Sequence, residues 1–313
     1  MRSPFLLRCR WMDSRAAVGP KHWLAFAALG IAWGTTWVAA DTLAEYVPPL
    51  RGAAERFLLA ALLWIPVILW RRLKLPRGRS LAFVFILSFT MIVGPFLLLL
   101  WGQARIPSAT VAVSFSAMPL MVVLLTPVLA GRDVPRIAMQ SSIVGLGAIV
   151  VALGATFSLA QAAGAAVVLL AVASIGASSI LARREFTSLH PVVATALLLG
   201  VAALLMFLAS LLLERGQPVQ WNRSALGAVA YLAFVAGAPA YAMYFWLLQQ
   251  MEAYQVGTVQ WIEPLVAILE SALFLRLGLS FSMIAGSLIT LVCLLLVMRA
   301  RAEDDDTVSL LGN

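Results

Sequence analysis

The sequence predicts an all-α polytopic membrane protein with ten transmembrane helices, arranged as two inverted five-helix repeats. Of its 313 residues, 62% are hydrophobic and only 12% are charged, and the apolar residues form runs of about 20, which is the length that crosses a bilayer. A soluble domain carries roughly twice that share of charge, and disordered chains are poor in apolar residues. An ordinary water-soluble enzyme and a disordered chain are therefore both excluded.

Ten apolar runs are long enough to span a membrane. They lack the alternation over about ten residues that marks the strands of a membrane β-barrel. The loops between them are short and leave no room for a soluble domain. The number of spans depends most on how the shortest connections are divided, which are those between spans five and six and between spans nine and ten. The predicted spans are 23–40, 49–70, 81–101, 109–130, 137–156, 161–182, 191–213, 225–247, 254–275 and 280–298.

Positive charges predict the orientation, because cytoplasmic loops are rich in Lys and Arg. With a cytoplasmic N-terminus, 16 of the 22 basic residues fall on the inside. Both the basic tail 1–22 and the acidic tail 299–313 are then cytoplasmic, in a protein of the inner membrane. These charges set topology and meet anionic lipid, so we expect membrane lipid as a partner and no nucleic acid. The outside loops hold Arg105, Arg215, Arg223 and Arg276.

An internal repeat divides the chain into residues 23–156 and 161–298. Trp101 and Pro119 are separated by 18 residues, as are Trp246 and Pro264. Five spans per half place the second half in the opposite orientation, which is the inverted-repeat plan of many secondary transporters. The first span also has features of a cleaved signal peptide, but we favour an uncleaved helix because the repeat requires it.

Four short motifs, in their order along the chain, resemble EamA-type transporters of the drug/metabolite transporter superfamily. The resemblance covers about residues 23–298. It implies two inverted five-helix repeats that rock around a central cavity lined by helices one, three, four, six, eight and nine. It also implies transport of small metabolites, with export of amino acids or related compounds favoured. The motifs are Ala32-Trp33-Gly34, Pro48-Pro49, Arg56-Phe57-Leu58-Leu59-Ala60-Ala61 and Glu263-Pro264-Leu265.

Charged residues occur inside only two predicted spans, the second and the ninth. Ionisable groups within a membrane are costly and by default mark function. Glu263 is expected about 15 Å into its span, near the midplane of a hydrocarbon core about 30 Å thick. Glu270 lies nearer the outside, at the level of Glu55 and Arg56, so we predict an ion pair between Arg56 and Glu270. Gln260, Glu263 and Glu270 share one helix face, which should look into the protein.

Glu263 has two interpretations. It is either a proton acceptor and partner for a substrate amine, or a hydrogen-bonded structural acid. Pro264 removes a backbone donor beside it, and a break near the midplane points to a binding site. Its counterpart in the first repeat, at the Trp–Pro spacing, is Met118. Glu55 and Arg56 have the same two interpretations, a structural pair or a coupling pair.

Aromatic walls with a few polar groups suit small organic ligands. We therefore predict substrate contacts at Trp33, Thr36, Trp101 and Tyr244, and at Ser114, Gln260 and Glu263. The alternatives are ordinary packing or an interfacial belt for the aromatic residues, and a bond to backbone or to a neighbouring helix for Ser114. The GxxxG element that begins at Gly30 allows close helix approach, within one chain or in a homodimer.

Several chemistries have no motif in the sequence. There is no Walker A loop, no HExxH motif and no nucleophile–base constellation, so no catalytic residue, metal or cofactor is expected. We therefore expect a secondary transporter of small organic metabolites. The resemblance to EamA-type transporters favours export of amino acids or related compounds, and proton exchange is a hypothesis for the drive that the sequence itself does not show. The alternatives are an uncoupled channel of the same fold and a membrane-embedded enzyme or accessory protein.

Overall fold

Ten helical segments make up the described part of the protein. The computed structural model describes residues 19–106, 108–153, 161–187, 189–274 and 280–300. Five of the ten segments are interrupted and five are continuous. The segments are α1 (Pro20–Gly34 and Thr36–Ala44), α2 (Pro49–Trp70), α3 (Arg79–Leu87, Ser88–Val93 and Gly94–Gln103), α4 (Ser108–Ser116 and Met118–Ala130), α5 (Arg136–Leu153), α6 (Ala162–Glu185), α7 (Pro191–Leu213), α8 (Arg223–Phe234 and Ala238–Gln250), α9 (Ala253–Gly257, Thr258–Trp261 and Ile262–Phe274) and α10 (Phe281–Arg299).

The prediction of an all-α polytopic membrane protein is confirmed. In the described part of the chain, nine helices are long and apolar enough to cross a membrane. The remaining segment, α9, occupies the position of the predicted ninth span in three shorter pieces. The predicted first span is too short, because α1 continues to Ala44. The tails lie mostly outside the described residues, so their placement stays a prediction.

The packing of the helices follows a twofold pattern that relates α1–α5 to α6–α10. Helix α2 packs along α7, and α5 packs along α10, so each of these helices contacts its own mate. Helix α1 packs against α8 and α9, while α6 packs in the same way against α3 and α4. The structure therefore has the arrangement of two similar five-helix halves.

Helix α1 is interrupted at Thr35 by side-chain hydrogen bonding. The Thr35 hydroxyl donates to the carbonyls of Ile31 (2.9 Å) and Ala32 (3.2 Å). Such bonds from Thr to the preceding turn bend a helix. The next hydroxyl, on Thr36, donates to the Trp33 carbonyl at 2.5 Å. The bend therefore falls next to the aromatic and hydroxyl residues that the sequence singled out.

Prolines accompany the interruptions of α4, α8 and α9. Pro119 follows the break at Ala117, and Pro264 follows the 3₁₀ segment Thr258–Trp261. Proline lacks a backbone donor, so it leaves a carbonyl of the preceding turn without its helical partner. In a membrane such carbonyls need other donors. At the break in α4, Trp261 donates its indole N–H to the Ser116 carbonyl at 2.8 Å, which joins the interrupted regions of α4 and α9.

The GxxxG element packs within the chain. A methyl group at Gly30 would lie 2.5 Å from the nearest atom of Ile262, and one at Gly34 would lie 2.7 Å from Val266. Both contacts join α1 to α9, so of the two interpretations for this element the intramolecular one applies. Small residues at these positions let the two helices cross closely in the middle of the bundle.

The two ends of the bundle are named by their connections. At the α1–α2 end, helices α1, α3, α5, α7 and α9 end and helices α2, α4, α6, α8 and α10 begin; the opposite end is the α8–α9 end. Under the predicted orientation the α1–α2 end faces the outside. Large apolar side chains such as Leu69, Leu212 and Val292 are exposed on the helix surfaces between the ends, which suits contact with lipid.

Candidate functional site

A cavity of about 380 Å³ lies between the two halves of the protein. It reaches from Glu263 and Tyr244 in the middle of the bundle to Asp41, Ala44 and Pro49 at the α1–α2 end. The last three residues are exposed, so the cavity opens at this end. Its walls come from α1, α2, α3, α4, α8 and α9, with one residue from α6.

Glu263 lies at the inner end of the cavity, near the 3₁₀ break of α9. The residue is 9% exposed, and its carboxyl group has a hydrogen bond with the Trp37 side chain. The Gln260 amide nitrogen, in the orientation that satisfies both groups, also donates to this carboxyl. The carboxyl group is thus held by residues of α1 and α9 while it borders an open space.

Aromatic residues form the wall beside this acid. The Trp33 ring lies 5.5 Å from that of Tyr241 and 5.3 Å from that of Tyr244. Its indole N–H donates to the Ala236 carbonyl at 3.2 Å, which is a carbonyl in the interrupted part of α8. The hydroxyls of Tyr244 and Ser179 are 2.6 Å apart. These bonds fix the rings across α1, α6 and α8, so the wall is preorganised.

Arg56 of α2 also lines the cavity, beside the aromatic residues. Its guanidinium carbon lies 4.6 Å from the centre of the Phe57 ring and 5.8 Å from that of Phe96. Tyr241 lies close to the same guanidinium group. Within the described ranges no carboxylate forms an ion pair with Arg56, and its Nε atom is buried without a hydrogen-bond partner.

Six of the residues proposed from the sequence line the cavity together. Other predicted site residues do not reach it. Ser114 is buried, and its hydroxyl donates to the Thr110 carbonyl at 2.8 Å. This hydrogen bond stays within α4, so the hydroxyl does not face the cavity. Glu55 forms an ion pair with Arg51 one turn away. The six cavity residues are Trp33, Thr36, Arg56, Tyr244, Gln260 and Glu263.

Trp101 does not line the cavity. It is 42% exposed, and the Arg105 guanidinium lies over its ring at 3.7 Å. Its repeat mate Trp246 stacks on His22 with ring centres 5.2 Å apart. Both tryptophans therefore pack away from the site. The side chain of Glu270 lies outside the described residues, so the Arg56–Glu270 pair stays a prediction.

Sequence reasoning did not select two polar residues at the cavity mouth, Asp41 and Gln103. Asp41 fell just beyond the predicted end of span one at Ala40. The structure extends this helix by one turn and places Asp41 within it. A helix-capping argument for the end of α1 could have found it. Gln103 ends α3 in the same way, two residues beyond the predicted span.

The α8–α9 end is closed by polar contacts that join several helices. Arg183 at the end of α6 donates to the Leu248 carbonyl at 2.9 Å and to the Met251 carbonyl, and it forms a 2.8 Å bond with Glu252. Arg132 at the end of α4 approaches the same Glu252 oxygen at 3.4 Å. We call Arg132, Arg183 and Glu252 the arginine latch.

Glutamine side chains reinforce the closed end. Gln249 donates to the carbonyls of Phe186 and Leu189, both at 2.7 Å, which ties α8 to the α6–α7 connection. Gln255 donates to the Met298 carbonyl at 2.9 Å, which ties α9 to α10. The cavity therefore has one open end and one closed end. In the part of the chain that is described, no group of three His, Cys, Asp or Glu residues could hold a metal ion.

Comparison with known proteins identifies the family. The EamA-like transporter family matches the chain twice, over residues 21–154 and 162–299. Protein PagO of Salmonella typhimurium is 26% identical over 91% of this chain and 97% of its own length. The uncharacterized transporter YoaV of Bacillus subtilis is 22% identical over 87% of this chain and 94% of its own length.

Two further similarities agree with this assignment. The uncharacterized inner membrane transporter YedA of Escherichia coli is 25% identical over 78% of this chain and 80% of its own length. A crystal structure at 18% identity superposes with a TM-score of 0.77 over 92% of this chain and all of that one, which supports the fold. The chain belongs to the EamA-like transporter family.

Proposed function

We propose that the protein is a secondary transporter that exports small organic metabolites, such as amino acids or related compounds, across the inner membrane. The observation that carries the proposal is a central cavity that is open at the α1–α2 end and closed at the α8–α9 end. Membership of a transporter family supports the same conclusion. A cavity of about 380 Å³ is of a size that holds small organic ligands.

This arrangement supports alternating access as the mechanism of the proposed transporter. With the α1–α2 end outside, as the basic residues predict, the cavity is open to the outside and the arginine latch closes the cytoplasmic end. Repeat-based transporters expose a midplane site by rocking one half against the other. Opening the cytoplasmic end requires the bonds of Arg183 and Glu252 to break, and closing the outer end requires the walls near Asp41 and Pro49 to meet.

Glu263 is our candidate for proton coupling. It is buried at the inner end of the cavity, next to the helix crossing that both access states would share. An acid in this place can exchange a proton with whichever side the cavity faces, and can receive the polar group of a solute. An uncoupled facilitator of the same fold is the alternative, and it would move solute without accumulating it against a gradient.

Export and coupling can be tested in cells and vesicles. Metabolites in the medium are profiled for cells that overproduce the protein and for cells that lack it. We expect one or more small organic solutes to rise with overproduction. Their transport in vesicles with an imposed pH gradient should depend on that gradient for the natural protein and lose this dependence in Glu263→Gln.

The matched control is Glu55→Gln. Glu55 is also a carboxylate within a membrane helix, but it pairs with Arg51 and lies off the cavity, so gradient dependence should remain. Normal gradient-driven transport in Glu263→Gln would contradict the coupling role. No solute difference between the two cell types would contradict export.

A further inference from the structure

Arg56 carries a positive charge that no described part of the protein neutralises. Its Nε atom is buried and has no hydrogen-bond partner among the described residues. The neighbouring carboxylate, Glu55, already pairs with Arg51. Two other acids border the cavity, but Glu263 is held by Trp37 and Gln260 and Asp41 lies exposed at the mouth.

The aromatic contacts of Arg56 offset only part of this cost. Guanidinium groups are attracted to ring faces, and Phe57 and Phe96 provide such faces. These ring contacts do not satisfy the Nε–H donor, which has no hydrogen-bond partner among the described residues. A half-buried cation without an anionic partner is unfavourable. The side chain of the predicted partner, Glu270, lies outside the described residues. An anion that enters the cavity would supply the partner that no described carboxylate provides.

The shape of the guanidinium group and the lining of the cavity indicate the chemical class of an anion that would bind there. The planar fork of arginine matches a carboxylate with two parallel hydrogen bonds. Arg56 is the one Lys or Arg among the described residues that line the cavity, so it balances a single negative charge better than a doubly charged phosphate. The remaining walls are mostly aromatic and aliphatic, which suits an apolar body attached to the acid.

We propose that Arg56 is the binding site for a carboxylate of the transported solute, so that the substrates are organic acids or zwitterions rather than amines or neutral compounds. This inference rests on the proposed transporter function. Glu263 and Gln260 lie on another wall of the same cavity and can receive a second polar group. Arg56 in α2 and Glu263 in α9 would then orient one solute between the two halves of the protein.

Binding of matched probes to the purified full-length protein in lipid nanodiscs tests the proposal. Leucine and isocaproate carry a carboxylate, whereas leucinol and leucinamide keep the carbon skeleton without it. By titration calorimetry we expect the two carboxylates to bind about tenfold to a hundredfold more tightly, which is the range for hydrogen bonds to a charged group. Equal affinities for leucine and leucinol, or no binding of any of the four probes, would overturn the proposal.

Single substitutions test whether Arg56 is the residue that causes the preference for carboxylates. Arg56→Gln should lose the preference for carboxylates, while Arg56→Lys should keep part of it because the charge remains. Arg51→Gln is the control, since Arg51 lies on the same helix but pairs with Glu55 and does not line the cavity. Circular dichroism of each variant checks the helical fold. Full carboxylate preference in a folded Arg56→Gln protein would refute the assignment.

The outcomes separate this proposal from the transporter function itself. Export of an amine or a neutral solute, lost in Glu263→Gln, would overturn the carboxylate site and leave the transporter function intact. Tight carboxylate binding without any flux in vesicles would support the site and contradict the transporter function.

Discussion

The α8–α9 end and the α1–α2 end are built from corresponding helices but carry opposite polar contacts. From Gly176 to Arg183 in α6 is seven residues, and from Gly34 to Asp41 in α1 is also seven. Arg183 bonds to two carbonyls and to Glu252. Asp41 is exposed, and no ion pair to it occurs among the described residues. The two ends share a backbone plan, so we expect a few side chains to decide which end is open.

The polar contacts at the α1–α2 end lie at the periphery. Glu214, at the end of α7, accepts hydrogen bonds from the backbone N–H groups of Leu50 (2.7 Å) and Arg51 (3.0 Å). This bond caps α2 and ties it to α7, but it does not cross the cavity mouth. The arginine latch, in contrast, joins α4, α6 and the α8–α9 connection. A bias of a few kcal/mol between two states is enough to make one of them dominant.

The largest effect is expected from Arg183→Gln, which removes the centre of the arginine latch. Hydrogen bonds to charged groups contribute about 1.5–3 kcal/mol each, so a shift of about a hundredfold toward opening of the α8–α9 end is expected. The reporter is a cysteine at Ile175 on the cavity wall, in a chain with Cys9→Ser and with the buried Cys293 unchanged. A membrane-impermeant thiol reagent applied from the α8–α9 side should label this reporter faster.

Arg184→Gln is the control for this change. Arg184 is the neighbouring arginine, but it is exposed and approaches Glu185 at only 3.7 Å. Its labelling rate should equal that of the reporter chain alone. Equal rates in Arg183→Gln and Arg184→Gln would show that the latch does not hold the closed end.

A second prediction concerns the crossing of α1 and α9 between the two ends. Gly30→Ala would place a methyl group 2.5 Å from Ile262, and overpacking of this kind costs about 2 kcal/mol. We expect a lower thermal unfolding midpoint, with partial recovery when Ile262→Val creates space. Gly147→Ala is the control, since nothing lies within 4 Å of the added carbon at that position. Equal midpoints for the two alanine variants would contradict the close approach.

Much of the transmembrane plan could be predicted because it depends on local composition. Runs of about 20 apolar residues located the spans, and Pro264 marked the region where α9 is interrupted. Intramembrane charge identified Glu263 and Arg56, since such residues are costly in lipid. These signals need no knowledge of how the helices are arranged.

The remainder depends on tertiary contacts that a single sequence does not display. Glu252 is 69 positions from Arg183 and 120 positions from Arg132, and nothing local to these residues pairs them. Trp101 has the predicted place in the repeat, but repeat spacing does not specify which side of α3 faces the cavity. Its partner is the nearby Arg105. The predictions from the sequence therefore failed mainly on which face of a helix points to the cavity and on where a helix ends.

The third prediction tests the peripheral contact at the open end. Glu214→Gln keeps the shape of the side chain but removes the charge that caps α2, and the loss of a charged cap costs about 1 kcal/mol. The thermal unfolding midpoint should fall, while labelling of the reporter at Ile175 from the α8–α9 side should not change. Arg215→Gln, at the adjacent exposed position, is the control. Faster labelling in Glu214→Gln would mean that this contact also governs which end is open.

The smallest effect is expected at Asp41, the repeat counterpart of Arg183. Asp41→Asn removes a charge that is exposed and unpaired among the described residues, and such surface changes usually alter stability by less than about 0.5 kcal/mol. The unfolding midpoint should stay within this range of the natural protein. If Asp41→Asn shifts stability or labelling as much as Arg183→Gln does, then Asp41 acts as a gate residue in this state. The contrast between the two ends would then lie in the helices rather than in the latch.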